Sequence, residues 1–232
     1  MDFAYKTDIG QKRTKNEDSC FVNENFAVVA DGMGGHNKGE VASQMVVDIL
    51  KQKLNKAKKI TKEILNKAIV EANRTVYSKA ETDEKYKGMG TTVVCCAWDD
   101  KQILLGHIGD SRCYAVMQNG IFQLTDDHTL VQQLIDEGKL TSQEANEYPD
   151  KHVITRAVGT DANEKPDIKV IDRQNIQWLI LCSDGLSNYV QPDSMLACTE
   201  QAKSPSDAAE QLVNMANSSG GEDNISVVVI RF

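Results

Sequence analysis

Apolar residues recur at three- and four-residue steps in two stretches of the chain. Ala42, Met45, Val46, Ile49 and Leu50 line one helical face. Ile64, Ala68, Ala72 and Val76 line another, and Thr61 stands where an N-cap hydroxyl is needed. A third helix is predicted from Ser204-Pro205-Ser206-Asp207. Ser204 caps it, Pro205 fits the first turn, and Asp207 faces the positive end of the dipole. Ala208, Leu212 and Met215 then turn inward. Short β-rich runs predict strands over Phe26–Ala30, Thr92–Trp98, Ile103–Ile108, Arg112–Met117, Ile121–Leu124, Trp178–Cys182 and Ile225–Ile230. Asn119-Gly120 joins two of them as a tight hairpin, because both residues tolerate positive φ. Strands linked by so short a turn are antiparallel. Strands and helices come in blocks, which predicts an α+β layered fold and argues against a doubly wound parallel sheet.

Composition narrows this picture. The 232 residues are 41% hydrophobic and 26% charged, which suits a globular chain, and no internal repeat or Pro/Gly/Ser-rich linker divides it. One domain over residues 1–232 is expected. No apolar run approaches the roughly 18 residues of a membrane span, and Met1-Asp2-Phe3-Ala4-Tyr5-Lys6 does not resemble a secretory leader. A cytoplasmic location with no membrane partner is therefore expected. The net charge of −8 disfavours a nucleic-acid partner. The six cysteines form no C-x-x-C pair, and Cys95 and Cys96 sit inside an apolar run, so they read as small buried hydrophobes.

The acidic residues carry the chemical information. Asp31 follows the run 26–30, Asp110 follows 103–109, and Asp184 follows 178–183. Asp223 stands just before 225–229, and Glu17 and Asp18 precede Cys20-Phe21-Val22. A single Asp-Gly reads as turn punctuation. The same placement repeated along the chain points instead to carboxylates gathered at one edge, where their mutual repulsion calls for cations. All-oxygen donors suit Mg²⁺ or Mn²⁺. Other phosphate chemistries are missing: no Cys is followed six positions on by Arg, and neither a G-x-S-x-G elbow nor a P-loop is present. With four His and no H-E-x-x-H, a zinc hydrolase is disfavoured. A hydrolase built from these residues would use water activated by metal.

An ordered series of motifs resembles one known family. They are Thr7 to Asp18, Ala30-Asp31-Gly32-Met33-Gly34-Gly35-His36, Gly39-Glu40-Val41-Ala42-Ser43, Gly88-Met89-Gly90-Thr91-Thr92 and Gly109-Asp110-Ser111-Arg112. Leu124 to Thr129, Ile154 to Gly159, Cys182-Ser183-Asp184-Gly185-Leu186 and Glu222-Asp223-Asn224-Ile225 complete the series. Together they resemble the metal-dependent Ser/Thr protein phosphatases of the 2C-like (PPM) family, in its bacterial branch. The resemblance implies a four-layer α-β-β-α sandwich of two antiparallel sheets flanked by helices. It implies two Mn²⁺ or Mg²⁺ ions bridged by Asp31, with the Gly32 carbonyl on one ion and Asp184 with Asp223 on the other. Asp110 would hold a third ion with Asp184. Asp18 and Glu17 would act through water, and Arg13 would grip the substrate phosphate. The partners implied are phosphorylated proteins, among them a Ser/Thr kinase and its substrates, met by a monomeric phosphatase.

Three departures from the family pattern stand out. Met33 occupies the place where many eukaryotic members carry a His after Asp-Gly, which leaves two candidates for the general acid, the nearby His36, which could equally hydrogen-bond the Gly loop, and a water on the third ion. His128 reads as structural. The stretch 134–158 resembles the flap beside the active site, with a capping box at Thr141-Ser142-Gln143-Glu144 opening a helix that Tyr148-Pro149 ends. Bacterial relatives are expected to have His at the position of Tyr148 and Asn at that of His152.

Overall fold

The structure is a computed structural model describing residues 1–34, 38–150 and 152–232. One five-stranded sheet runs in the order β1 (Asp2–Asp8), β12 (Ile225–Arg231), β11 (Ile176–Cys182), β8 (Arg112–Met117), β9 (Gly120–Gln123). The other runs β10 (Asp167–Asp172), β7 (Gln102–Ile108), β6 (Val93–Trp98), β3 (Phe26–Ala30), β2 (Ser19–Val22). Every neighbouring pair is antiparallel. A small ladder of β4 (Gly32–Met33) and β5 (Gly90–Thr91) lies beside them. The helices are α1 (Gly39–Leu54), α2 (Lys62–Thr82), α3 (Leu130–Asp136), α4 (Ser142–Glu147), α5 (Asp184–Ser187), α6 (Pro192–Gln201) and α7 (Pro205–Ser218).

Three buried clusters explain the layering. Along β6 the side chains alternate: Val93, Cys95 and Ala97 pack against α1 and α2, while Val94 and Cys96 face the other sheet. Along β12, Val227 and Val229 meet α6 and α7, and Val228 and Ile230 face inward between the sheets. Both faces of these strands are buried, which is why their sequences are unbroken apolar runs. The sandwich is thus helix, sheet, sheet, helix, as the family resemblance implied. Cys95, Cys96, Cys113 and Cys182 are fully buried among these side chains, and burial pushes the Cys182 thiol up to about 12.

The starts of α2, α4 and α7 follow the sequence rules, whereas α1 begins after Lys38 with no side-chain cap. Thr61 Oγ1 accepts from the Ile64 N–H at 3.3 Å, and Ser204 Oγ accepts from the Asp207 N–H at 3.2 Å. Thr141 and Glu144 form the capping box that opens α4. Besides the two-residue β4 and β5, two longer strands carry no clear signal. β1 and β10 lie at sheet edges and include exposed charged residues, so DFAYKTD and DIKVID lack a long apolar run.

Candidate active site

Antiparallel pairing sets the position of the carboxylates. β3, β7 and β11 end, and β2, β6, β8 and β12 begin, at the same end of the sandwich. The register shows this directly: Ser19 pairs with Ala30, Val93 with Ile108, Arg112 with Cys182, and Cys182 with Val227. Asp18, Asp31, Asp110, Asp184 and Asp223 all lie just beyond those strand ends. Six expected site residues, Arg13, Glu17, Asp31, Asp110, Asp184 and Asp223, line one cleft of about 200 Å³ together with the backbone of Gly32. Asp18 lies behind it. A larger hollow, about 900 Å³, opens at the opposite end beside Asp100, Asp172 and Phe232, and among the described residues no such group of carboxylates lines it.

Hydroxyl and amide side chains hold this end rigid. The Ser183 hydroxyl donates to Asp18 Oδ2 at 2.8 Å, joining the two sheets. Thr92 and Ser111 make a second cross-sheet bond, 2.7 Å between hydroxyls. The Asp31 backbone is fixed on both sides: its N–H donates to Thr92 Oγ1 and its carbonyl accepts from the Thr91 hydroxyl and the Thr92 N–H. Asn224 ties the Arg13 loop in place. Its amide donates to the carbonyls of Ile9 and Lys15, and its Oδ1 accepts from the Glu17 N–H at 2.8 Å. The Asn188 amide donates to Asp184 Oδ2 at 3.0 Å. Close backbone approach requires glycine at two places. A Cβ at Gly32 would run into the backbone of Gly39 and Glu17, and one at Gly185 into the Asn224 carbonyl.

The carboxylates are electrostatically frustrated. Burial first, then Asp18, Asp184, Asp110 and Asp223, pushes Asp31 far above the usual carboxylate range. Burial raises Asp18 to about 7, against hydrogen bonds from Ser226 and Ser183. Burial and the neighbouring Asp184 and Asp127 raise Asp110 to about 8. Asp184 is raised by burial and by Asp223, and Glu17 by burial and by Glu40. Asp18 Oδ1, Asp110 Oδ1 and Asp184 Oδ1 are buried and find no hydrogen-bond donor among the described residues. Buried oxygens of this kind, all hard donors, fit divalent cations. Among the described residues that line the cleft, the one cation is Arg13, whose Nη2 donates to Asp223 Oδ2 at 2.8 Å. His36 lies outside the described residues.

A different cluster also has metal-like spacing: ligand atoms of His107, His128 and Asp167 lie within 4.8 Å of one another. A guanidinium already fills that place. Arg156 Nη1 lies 2.8 Å from His128 Nε2 and donates to Asp167 Oδ1 at 2.9 Å. The Gly109 N–H donates to His128 Nδ1 at 3.0 Å, so the ring supports the glycine that turns the chain toward Asp110. Burial and the adjacent His107 and Arg156 push His128 down to about 4. This is the structural role read from the sequence.

Sequence reasoning did not single out Ser183, Asn224, Asn188 or Thr92 as supports. Ser183 and Asn224 are adjacent to expected ligands, so their place in the motifs was visible. Their partners lie more than 160 residues away in the chain, and only the fold brings them together.

Comparison with known proteins identifies the family and the fold. The family model "Protein phosphatase 2C" matches residues 10–222. The serine/threonine phosphatase stp of Listeria welshimeri is 38% identical over 240 residues, covering 99% of this chain and 95% of that protein. The crystal structure of the serine/threonine phosphatase Stp1 from Staphylococcus aureus superposes with a TM-score of 0.94 at 33% identity, covering 99% and 94% of the two chains. The catalytic domain of the protein phosphatase PstP, solved in complex with two manganese ions, superposes with a TM-score of 0.87 at 34% identity, covering 98% and 96%. The cleft of strand-end carboxylates is thus found on a fold shared with these phosphatases, and the chain belongs to the protein phosphatase 2C family as a bacterial-type, metal-dependent serine/threonine protein phosphatase.

Proposed function

We propose that this chain hydrolyses phosphoserine and phosphothreonine in the cytoplasm, as a monomer, on proteins phosphorylated by a Ser/Thr kinase and on the kinase itself. Residues 1–232 act as one catalytic domain, with 134–158 as the flap. The observation that carries the site assignment is the convergence of buried, partnerless carboxylate oxygens on one cleft with an arginine at its mouth.

Asp31, the Gly32 carbonyl, Asp184 and Asp223 are the residues that would hold two Mn²⁺ or Mg²⁺ ions, and Asp110 with Asp184 a third. When bound, such ions polarise water for in-line attack on phosphorus and neutralise charge on the phosphoryl oxygens. The remaining work falls to the chain. Arg13 offers a planar, permanently charged fork to the incoming phosphate; Asp223 holds that fork over the cleft. Glu17 lines the cleft and Asp18 sits one layer back, and both orient water. Ser183, Asn224 and Thr92 keep the carboxylates from drifting apart under their own repulsion.

Phosphothreonine and phosphoserine peptides should be turned over with Mn²⁺ and stop on chelation, and Asp31→Asn should lower kcat by about three orders of magnitude or more, a barrier increase of roughly 4 kcal/mol. Small phosphorylated metabolites should be poorer substrates by kcat/KM. Near-normal peptide turnover by Asp31→Asn at saturating Mn²⁺ would refute the bridging assignment. A preference for metabolites would refute the proposed protein substrates.

A further inference from the structure

The charge of this molecule is unevenly distributed. Residues 51–62 contain six lysines and no Asp or Glu, a formal +6 within a chain of net −8, so the remainder carries −14. These residues form the C-terminal turn of α1, the link to α2 and the first residue of α2. Lys56, Lys58, Lys59 and Lys62 are exposed. Lys53 is paired with Glu71 at 2.6 Å and Lys59 with Asp99 at 3.3 Å. Lys51 rests over the Phe21 ring, 4.6 Å from its centroid. Lys56, Lys58 and Lys62 have no carboxylate within ion-pair distance among the described residues.

The patch sits at the end of the sandwich away from the active site. Helix α1 begins with Gly39 packed against Gly32 at the cleft and runs 16 residues, about 24 Å, before it reaches Leu54. Asn55 then accepts from Asn23, in the turn that leads into β3, whose other end carries Asp31. Lys59 reaches the turn between β6 and β7, again at the far end. The lysine cluster and the carboxylate cleft therefore lie at opposite ends of the sandwich, with Asp99 and Asp100 in the turn that Lys59 reaches.

Three features of the patch identify its partner. It contains no arginine, whereas bidentate recognition of phosphopeptides relies on arginine forks. It presents no large exposed apolar side chain, since Leu54 is buried and Ile60 packs against the core, and protein interfaces are depleted in lysine and enriched in aromatics. A cluster of lysines acting as point charges matches a diffuse sheet of negative charge.

We infer that residues 51–62 adsorb the protein on an anionic lipid surface, with the catalytic cleft turned away from the membrane toward solvent. No membrane partner is expected from the sequence. That expectation rested on the lack of a spanning segment, and among the described residues no helix is long and apolar enough to span, which has no bearing on peripheral adsorption. The binding is electrostatic and reversible, and the position of the lysines opposite the carboxylate cleft sets the orientation.

The test is co-sedimentation of the full chain with vesicles of phosphatidylcholine alone or containing about a third phosphatidylglycerol. At about 50 mM salt the mixed vesicles should bind at least about 100-fold more tightly, and at about 0.5 M salt the difference should vanish by screening. Substituting Lys56, Lys58 and Lys62 together by Ala should weaken binding roughly 100-fold, about five-fold for each lysine near the surface. The same variant should keep its melting temperature and its turnover of a soluble aryl phosphate, because none of the three touches the cleft. Equal binding to neutral vesicles, or undiminished binding by the variant, overturns the inference. Tighter capture by a soluble polyglutamate than by the vesicles assigns the patch to an acidic protein and overturns it as well.

Discussion

Replacing Asp110 by Asn should stabilise the protein when divalent ions are chelated, and should do so only above acidic pH. Asp110 is 7% exposed, and burial next to Asp184 and Asp127 raises it to about 8. In the unfolded chain it titrates near 3.8. Below that value it is protonated in both states and contributes no pH dependence. Between the two values the unfolded chain ionises and the folded one does not, so folding loses about 1.4 kcal/mol for each pH unit. Above the folded value the loss levels off. At pH 7 the accumulated cost is on the order of 4 kcal/mol for this one side chain. Asn has nearly the same shape and also leaves a buried polar group short of partners, so that penalty largely cancels between it and the protonated acid. For a chain of this length roughly 2–4 °C accompanies each kcal/mol. The expected gain for Asp110→Asn is therefore about 10 °C in melting temperature at pH 7 with chelator, and close to nothing at pH 4. Thermal denaturation followed by circular dichroism at the two pH values measures it. Excess Mn²⁺ should narrow the gap, since ions that bind the folded wild type stabilise it by mass action. An equal gap at pH 4 and pH 7, or a less stable variant at pH 7, would show that Asp110 is not frustrated in the fold.

Two further substitutions separate binding from architecture. Arg13→Ala should raise KM for phosphopeptides by about ten-fold while leaving kcat within a few-fold, because the fork contacts phosphate oxygens before the reaction begins as well as during it; steady-state kinetics with kcat falling and KM unchanged would place Arg13 in the chemical step instead. Gly185→Ala forces a Cβ into the rigid Asn224 carbonyl, and overpacking of this kind should cost about 1–3 kcal/mol and lower the melting temperature by several degrees; an unchanged melting temperature would mean that the turn after β11 is looser than it stands.

Much of the fold was legible because the inner strands are buried on both sides. Runs such as Val93–Ala97 and Val227–Ile230 have few other readings. The edge strands β1 and β10 were not legible. Their hydrogen bonds run to one neighbour only, and residues such as Lys6 and Lys169 interrupt any apolar pattern. The short helices α3 and α5 also escaped, since four to seven residues are too few to show a stripe. The cleft carboxylates were visible one by one as Asp at strand ends, but which end of the sandwich each would occupy depended on pairing order. Asp18 illustrates the limit. Its neighbour Ser183 is 165 positions away, and no local pattern could announce that bond. His36 and its candidacy as general acid lie outside the described residues.

The order of strands in the two sheets has a consequence for how the molecule meets its neighbours. Each sheet has open edges, and an open edge invites another chain to add a strand. β1 begins and ends with Asp2 and Asp8 and carries Lys6 between them; β10 begins and ends with Asp167 and Asp172 and carries Lys169. Asp2 holds Arg231 and Asp167 holds Arg156, so charge is anchored at these margins by ion pairs. A strand from another molecule laid along either margin would have to strip water from those groups before its first backbone hydrogen bond formed. The longest apolar runs, β11 and β12 among them, lie inside the sheets, where both flanks are already taken, and the two remaining edges, β2 and β9, are only four residues long. The margins thus act as gatekeepers against fibre growth, protecting a chain whose most hydrophobic segments would be the most hazardous if a seam were left bare.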